Sequence, residues 1–351
     1  MKRILKIVLS LSLILALFVF YILFSTGSFR TIEHMFNGQI MMKVPIVGAE
    51  DIQLSRDDHF MIISSDDRAG RRDGKPSQGG LYFLDLKNPL VAPRLLTNQS
   101  NVSTPFYPHG ISMIKIDSAK YKVYAINHPD ENVHMIESCM LENGVLTKDS
   151  IYVDDNIFSP NDIVAIDEHQ FYFTNDHGFK SGFGKLAEDY FGLKVSNIIF
   201  YDGGNFREVA SGIAYANGIN YDPTRSLLFV ASPRDFLVKV FKVETNGDLT
   251  FIEDIVCGTG VDNIEFGEDG KLWIGCHPNL IHFGEYAKGK RAISPSEIIT
   301  IDYRGKGDYT LEQIYEDDGT NMSGSTVAPT YEDLIFVGNV MDDHFLILKR
   351  Q

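Results

Sequence analysis

The chain has 351 residues, 44% of them hydrophobic and 12% aromatic, which is enough to fill a large core. Its formal net charge of −15 argues against a nucleic-acid binder, because that function needs a basic footprint. The length would ordinarily suggest two domains, but closed β architectures often run this long as one.

Residues 1–29 stand apart from the rest. Lys2, Arg3 and Lys6 precede an uncharged apolar run from Ile7 to Phe24, about long enough to span a bilayer as a helix. Such a segment is either a cleaved signal peptide or a retained anchor. The run is longer than a signal peptide needs, and Ser25-Thr26-Gly27-Ser28 is a weak cleavage site, so a retained anchor is favoured. The basic flank then stays cytoplasmic. The body, residues 30–351, is expected outside or in a lumen, either anchored or secreted. Sequons at Asn98, Asn101 and Asn321 agree with export in a glycosylating host. The three cysteines, Cys139, Cys257 and Cys276, are an odd number, so at least one thiol stays free.

From about residue 45 the pattern is nearly all β, and one unit recurs. A polar pair leads into a strand, a turn and a second strand. Its copies begin at Glu50-Asp51-Ile52, His109-Gly110-Ile111, Asn161-Asp162-Ile163, Asn217-Gly218-Ile219, Asp262-Asn263-Ile264 and Ser325-Thr326-Val327. The aligned aliphatic residues lie 45 to 63 positions apart, a period that suits the blade of a propeller. Gly80–Asp85, Ile198–Asp202 and Leu237–Lys242 supply further strands between the hairpins. The expectation is an all-β, six-bladed propeller. From Gly178 to Val195 the pattern breaks, and from Gly184 the spacing of apolar residues turns helical. This insert is expected to be a helical lid over one mouth, an apolar wall for substrate or a face that touches membrane.

The residue placed before the first strand of each hairpin has an equivalent place in every blade, so those places ring one mouth. They carry Glu50, His109, Asn161, Asn217, Asp262 and Ser325, with Asp51, Asp162 and Asn263 one step later. Turn chemistry explains any single copy. A whole ring of oxygen-bearing side chains points to a hard cation such as calcium, which takes six to eight oxygen ligands. His109 and His128 fall at the same end of one hairpin, where strands are roughly 5 Å apart. Their imidazoles can then touch, one acting as base while the other orients it or relays the proton. A cation that polarises a carbonyl, beside such a base, suits ester or lactone hydrolysis. No Gly-x-Ser-x-Gly nucleophile, His-Glu-x-x-His zinc site or phosphate loop competes.

The strings Phe106-Tyr-Pro-His-Gly-Ile-Ser112, Asn127-His-Pro-Asp130, Asn161-Asp-Ile-Val-Ala165, Ala216-Asn-Gly-Ile-Asn220, Leu272-Trp-Ile-Gly-Cys-His-Pro278 and Gly324-Ser-Thr-Val-Ala328 resemble the paraoxonase/arylesterase family, in order and across residues 45–350. That resemblance implies a six-bladed propeller with two calcium ions, one catalytic and one structural. Glu50, Asn161, Asn217, Asp262 and Asn263 would hold the catalytic ion. Asp51, Asp162 and the backbone carbonyl of Ile111 would hold the buried one, with His109 and His128 as the dyad and Cys276 as the family's free cysteine.

The resemblance also implies a calcium-dependent lactonase of a family many of whose members hydrolyse aryl esters too and some of which act on organophosphates. Two departures matter. No cysteine lies near residue 35 or 345 to close the ring by a disulfide, so closure is expected from pairing of Ile40–Val47 with Phe345–Lys349. The lid also diverges in residue detail. The expected partners are a small lipophilic lactone or ester, and a membrane met through the N-terminal helix and the lid. Two alternatives stay open: a non-catalytic, calcium-stabilised binding platform, and an enzyme whose main substrate is a phosphotriester or aryl ester.

Overall fold

In the computed structural model, which describes residues 2–130 and 132–351, six antiparallel sheets form the blades of a propeller. Each sheet begins with the inner strand of one predicted hairpin and runs outward in chain order, except that the fifth and sixth take their outermost strand from the start of the chain. The inner strands are Ala49–Ser55, Pro108–Asp117, Pro160–Ala165, Ile219–Asp222, Gly260–Phe266 and Thr330–Tyr331. The apolar side chains gather in six clusters, each lying between two adjacent blades. Strand alternation dictates this: a blade in the middle of a ring has a neighbour on both faces, so both of its faces are apolar. Tyr124, Phe171 and Tyr172 are accordingly all fully buried.

The chain ends close the ring as expected. Gly38–Val44 pairs with Phe345–Arg350, with Ile40 opposite Leu348 and Val44 opposite Phe345. One pairing was not anticipated: Met35–Phe36 adds a fifth strand to the fifth blade, against Tyr315 and Glu316. Arg30 anchors the approach by reaching Glu297 at 2.8 Å and Glu316 at 3.0 Å. Cys139, Cys257 and Cys276 are all free, so strand pairing and packing hold the ring. Phe345 is fully buried among Val44, Ile46, Met61, Phe336 and Ile347. Phe345→Ala is expected to cost about 3–5 kcal/mol, read as a lower urea midpoint of unfolding.

Among the described residues, four α-helices accompany the sheets. The apolar helix α1 spans Lys2–Ser25, α2 spans Arg68–Arg72, α3 spans Gly182–Phe191 and α4 spans Leu280–Ala287. The inner strand of each blade runs away from the mouth, so the connection from second to third strand returns there, and α2, α3 and α4 all lie on such connections. The α3 helix is the predicted lid, while α2 and α4 were not foreseen. Asp67 caps α2 by accepting from the Gly70 N–H, and Asn279 caps α4 by accepting from the His282 N–H. Five residues carry no readable helical period, so for α2 that cap was the only local signal.

Glu188 holds α3 to the rim: its carboxylate meets His177 Nδ1 at 2.6 Å and accepts from the Gly178 and Phe179 N–H groups. Its apolar residues point the other way, with Phe183 79% and Leu186 51% exposed. Arg234 ties the end of α1 to this helix by donating to the carbonyls of Ser25, Asp189 and Tyr190. Phe18 of α1 packs on Phe191 of α3 with ring centroids 4.9 Å apart.

Candidate functional site

Four of the six polar pairs lie inside the inner strands, at one repeated irregularity, while Asn217-Gly218 and Ser325-Thr326 precede theirs as expected. Between Ala49 and Ile52 the strand advances three residues while its partner advances two, from Ser65 to Ile63. The same extra residue occurs at Pro108/Ile111, Pro160/Ile163 and Val261/Ile264. These are β-bulges, which bend a strand and re-aim the side chains at the bulge. Glu50-Asp51, His109-Gly110, Asn161-Asp162 and Asp262-Asn263 are the bulged pairs, so both members of each escape normal alternation and can face the channel. Periodicity cannot reveal this, because a bulge breaks the period that would predict it.

Two glycines let the ring close up. A Cβ on Gly110 would lie 2.5 Å from Asp162 Oδ1, and one on Gly218 would lie 2.3 Å from the Asp262 carbonyl oxygen. Blades two and four therefore give up a side chain where blades three and five project theirs. Asp51 and Asp162 stitch neighbouring blades together. Asp51 accepts from the N–H groups of Ile52 and Ile111 at 2.7 Å, and Asp162 accepts from those of Ile163 and Ile219 at 2.8 Å. Ile111 thus meets Asp51 through its N–H group.

The upper ring is left incomplete by the protein itself. Glu50 Oε2, Asn161 Oδ1, Asn217 Oδ1 and Asn263 Oδ1 are buried and have no hydrogen-bond partner among the described residues. Buried polar atoms are nearly always paired, so four orphaned oxygens at one place need an electrophile. The charge balance says the same. Glu50, Asp51, Asp162 and Asp262 are 4% exposed or less. Burial pushes Asp51 well above the usual carboxylate range, and repulsion from Asp162 and Glu265 adds to it. Burial does the same to Asp162 despite its backbone donors, and it raises Asp262 despite the His277 bond. Burial would raise Glu50 too, but His109, Arg68 and Asn263 outweigh it and hold that carboxyl below its ordinary value. Glu265, farther along the same strand, is pushed up to about 8 by burial. This oxygen-only donor set, crowded with carboxylates, fits a hard divalent cation.

The histidines stand beside this ring. His109 Nδ1 lies 3.0 Å from His128 Nε2, and His109 Nε2 lies 3.3 Å from Glu50 Oε1. The structure adds a third imidazole, with His128 Nδ1 2.8 Å from His134 Nδ1. Burial, then the neighbouring His109 and His134, push His128 well below the ordinary histidine range. Burial lowers His134 as well. His128 is therefore neutral near pH 7, with one nitrogen free to accept a proton. The hairpin argument that paired His109 with His128 reaches His134 too, because Asp130 pairs with Val133 across a short turn. His277 ends the strand Leu272–His277 of the fifth blade. Its Nε2 holds Asp262 Oδ2 at 2.8 Å, and its ring stacks on Phe283 of α4 with centroids 3.7 Å apart.

A cavity of about 490 Å³ opens over the histidines. His109, His128, His134 and Asp176 line one side, and Arg68, Arg71 and Arg72 of α2 line another. The apolar residues of α3 do not line it. Cys276 is fully buried and burial raises its thiol far above the usual range, so it packs and does not react. Asn98 and Asn101 are exposed, whereas the Asn321 amide donates to Asp317 Oδ2.

Comparison with known proteins shows the family and the fold. The profile of the arylesterase family matches residues 35–346. The chain is 30% identical over 299 residues to serum paraoxonase/arylesterase 1 of Homo sapiens, covering 84% of this chain and 83% of that protein. It is 29% identical over 300 residues to serum paraoxonase/arylesterase 2 of Gallus gallus, with the same coverage of each chain. Among solved structures it is similar to a calcium-binding protein, regucalcin, from Agrobacterium tumefaciens. The TM-score is 0.51 at 12% identity, covering 90% of this chain and 96% of that one, a likeness of fold alone.

Proposed function

This chain belongs to the arylesterase family, and from that membership we propose that it is a calcium-dependent hydrolase that opens lactones and cleaves aryl esters. The observation that carries the reading is the set of four orphaned buried oxygens, on Glu50, Asn161, Asn217 and Asn263, beside a contacting His109–His128 pair. Glu50, Asn161, Asn217, Asp262 and Asn263 would hold the catalytic ion. Asp51, Asp162 and the Ile111 carbonyl would hold a second, structural one. Calcium bound in the upper ring supplies a fixed positive charge that polarises a substrate carbonyl and stabilises the oxyanion.

The protein's own groups do the rest. As water attacks the carbonyl carbon, the C–O bond to the leaving oxygen breaks and that oxygen takes up a proton; His109, whose Nε2 faces Glu50 and the ring, takes the proton from the attacking water. Its Nδ1 can pass a proton to His128 Nε2, and His128 Nδ1 can pass one on to His134, whose ring is half-buried and reaches the cavity. Such a base contributes roughly 10²- to 10⁴-fold. Asp262 is fixed by His277, so its carboxylate keeps one direction. The exposed apolar face of α3 adjoins α1 through Phe18 and Phe191. We extend the proposal to a membrane-anchored enzyme whose mouth rim lies toward the lipid.

The direct test is hydrolysis of aliphatic and aryl lactones by the full chain in detergent, followed by proton release, with and without chelator. Activity is expected to vanish with EDTA and to return with calcium. Turnover by folded, calcium-stripped protein would refute the mechanism, and no turnover by folded, calcium-loaded protein would favour a binding platform.

Stability gives a second readout. Calcium is expected to raise the unfolding temperature, since it binds only the folded ring. Asp51, Asp162 and Asp262 have raised folded pKa values, so without calcium the folded state binds more protons than the unfolded one above about pH 4. Stability of the stripped protein then falls as pH rises through the folded values. Glu50, shifted the other way, offsets only part of this. The stabilisation by calcium should therefore be larger at pH 8 than at pH 5, as scanning calorimetry would show. A gain that shrinks with rising pH would contradict the ligand set.

A further inference from the structure

The cavity over the histidines has one wall whose charge the hydrolase reading does not use. Arg68, Arg71 and Arg72 all face it from α2, and of the lining residues on the opposite side only Pro160 is apolar. Two of the three arginines are already committed. Arg71 donates to both oxygens of Asp66 and lies over the Tyr107 ring at 4.2 Å. Arg72 is held by Asp73 at 2.8 Å and by the carbonyls of Tyr286 and Ala287.

Arg68 differs from both. Its side chain is 20% exposed; among the described residues its one ion pair is Nε at 3.5 Å from Asp66 Oδ2, a carboxylate that Arg71 already occupies, and its charge also acts on Glu50. Among the described residues its two Nη groups have no hydrogen-bond partner. Across the cavity, Asp176 is spoken for: Ser159 Oγ donates to one oxygen and Asn161 Nδ2 to the other. Asp130 sits at the exposed outer edge. Asp66 and Asp73 pair with Arg71 and Arg72, so Arg68 is the arginine whose Nη groups are left facing the space above His109 and His128, with the hydrogen-bonded Asp176 carboxylate across from it.

A neutral apolar group bound there would strip water from Arg68 and return nothing. A carboxylate would meet the guanidinium fork with two parallel charge-assisted bonds. We infer that the substrate of this mouth carries a carboxylate beside its scissile lactone or ester, and that Arg68 binds it. The inference rests on the hydrolase reading and narrows its substrate to an acidic lactone or ester. It also explains why the apolar residues of α3 stay outside the cavity, where they serve a surface.

The test uses the full chain in detergent, calcium-loaded, with a matched pair: 5-oxotetrahydrofuran-2-carboxylate and its neutral carboxamide. Ring opening is followed by chromatography. Wild type is expected to favour the acid in kcat/KM by roughly tenfold or more. Arg68→Gln should shrink that preference by roughly ten- to a hundredfold, chiefly through KM, and Arg68→Lys should recover part of it. A preference for the amide, or an acid-to-amide ratio that Arg68→Gln leaves intact, overturns the inference. If neither compound turns over, the hydrolase reading is what has failed. Calorimetry with the non-hydrolysable tetrahydrofuran-2-carboxylate then decides the subsite: binding by wild type that Arg68→Gln loses upholds it, and no binding by wild type overturns it. Calcium-dependent melting of each variant verifies the fold.

Discussion

Asp262→Ala is expected to lower lactone turnover by more than the roughly 10- to 100-fold that loss of an outer-shell partner of a metal costs. Asp262 is 3% exposed and lies on the bulge of the fifth inner strand. Its neighbour Asn263 and its ring partners Glu50, Asn161 and Asn217 each present a buried oxygen that the protein leaves unpaired. Removing the carboxylate deletes a charged ligand from a set whose other members are mostly neutral amides. It also frees His277 Nε2 from its one acceptor, in a ring whose Nδ1 is already unpaired. Two readouts should move together: turnover, and the rise in unfolding temperature with calcium. A folded Asp262→Ala protein that keeps full activity at low free calcium would remove Asp262 from the ligand set. Loss of turnover with an unaltered calcium response would assign it a role other than holding the ion.

His109→Gln should reduce kcat by roughly 10²- to 10⁴-fold, the range of a positioned general base, while the response of melting to calcium persists. His109 lies between Glu50 Oε1 at 3.3 Å and His128 Nε2 at 3.0 Å. Glutamine preserves some hydrogen bonding in that gap but cannot take up a proton. The variant therefore separates proton transfer from the architecture of the ring. An unchanged kcat would move the base elsewhere. A loss of the calcium response would mean that His109 acts mainly by supporting Glu50. His134, at the far end of the contact chain, is only half-buried, so solvent can replace much of what it does.

Much of this was legible in the residues alone. Six hairpins, each opened by an oxygen-bearing pair or by His109-Gly110, repeat along the chain, and a hairpin is a local object. Its two strands are close in sequence, so their period and turns announce it. The apolar run near the N-terminus is equally local, and so is the substitution of strand pairing for a disulfide, since the cysteines can simply be located. The contact of His109 with His128 followed from the geometry of one hairpin.

What tertiary structure decided depends on where side chains aim and on what comes near from far away in the chain. In blades one, three and five the bulges freed both members of the polar pair from strict alternation, which would have turned one of them aside. Gly110 and Gly218 mattered because carboxylates and backbone of other blades fill the space their side chains would need. Which oxygens stay orphaned is set by four different blades at once. The helical lid was visible, but the direction of its apolar face was not, because Glu188 and Arg234 fix that through partners elsewhere in the chain. Nothing in the sequence singles out Arg68. Only the packed structure showed that Asp66 and Asp73 satisfy its neighbours and leave it facing the histidines. Local periodicity thus specifies the blades, whereas pairing and desolvation among distant groups specify the site.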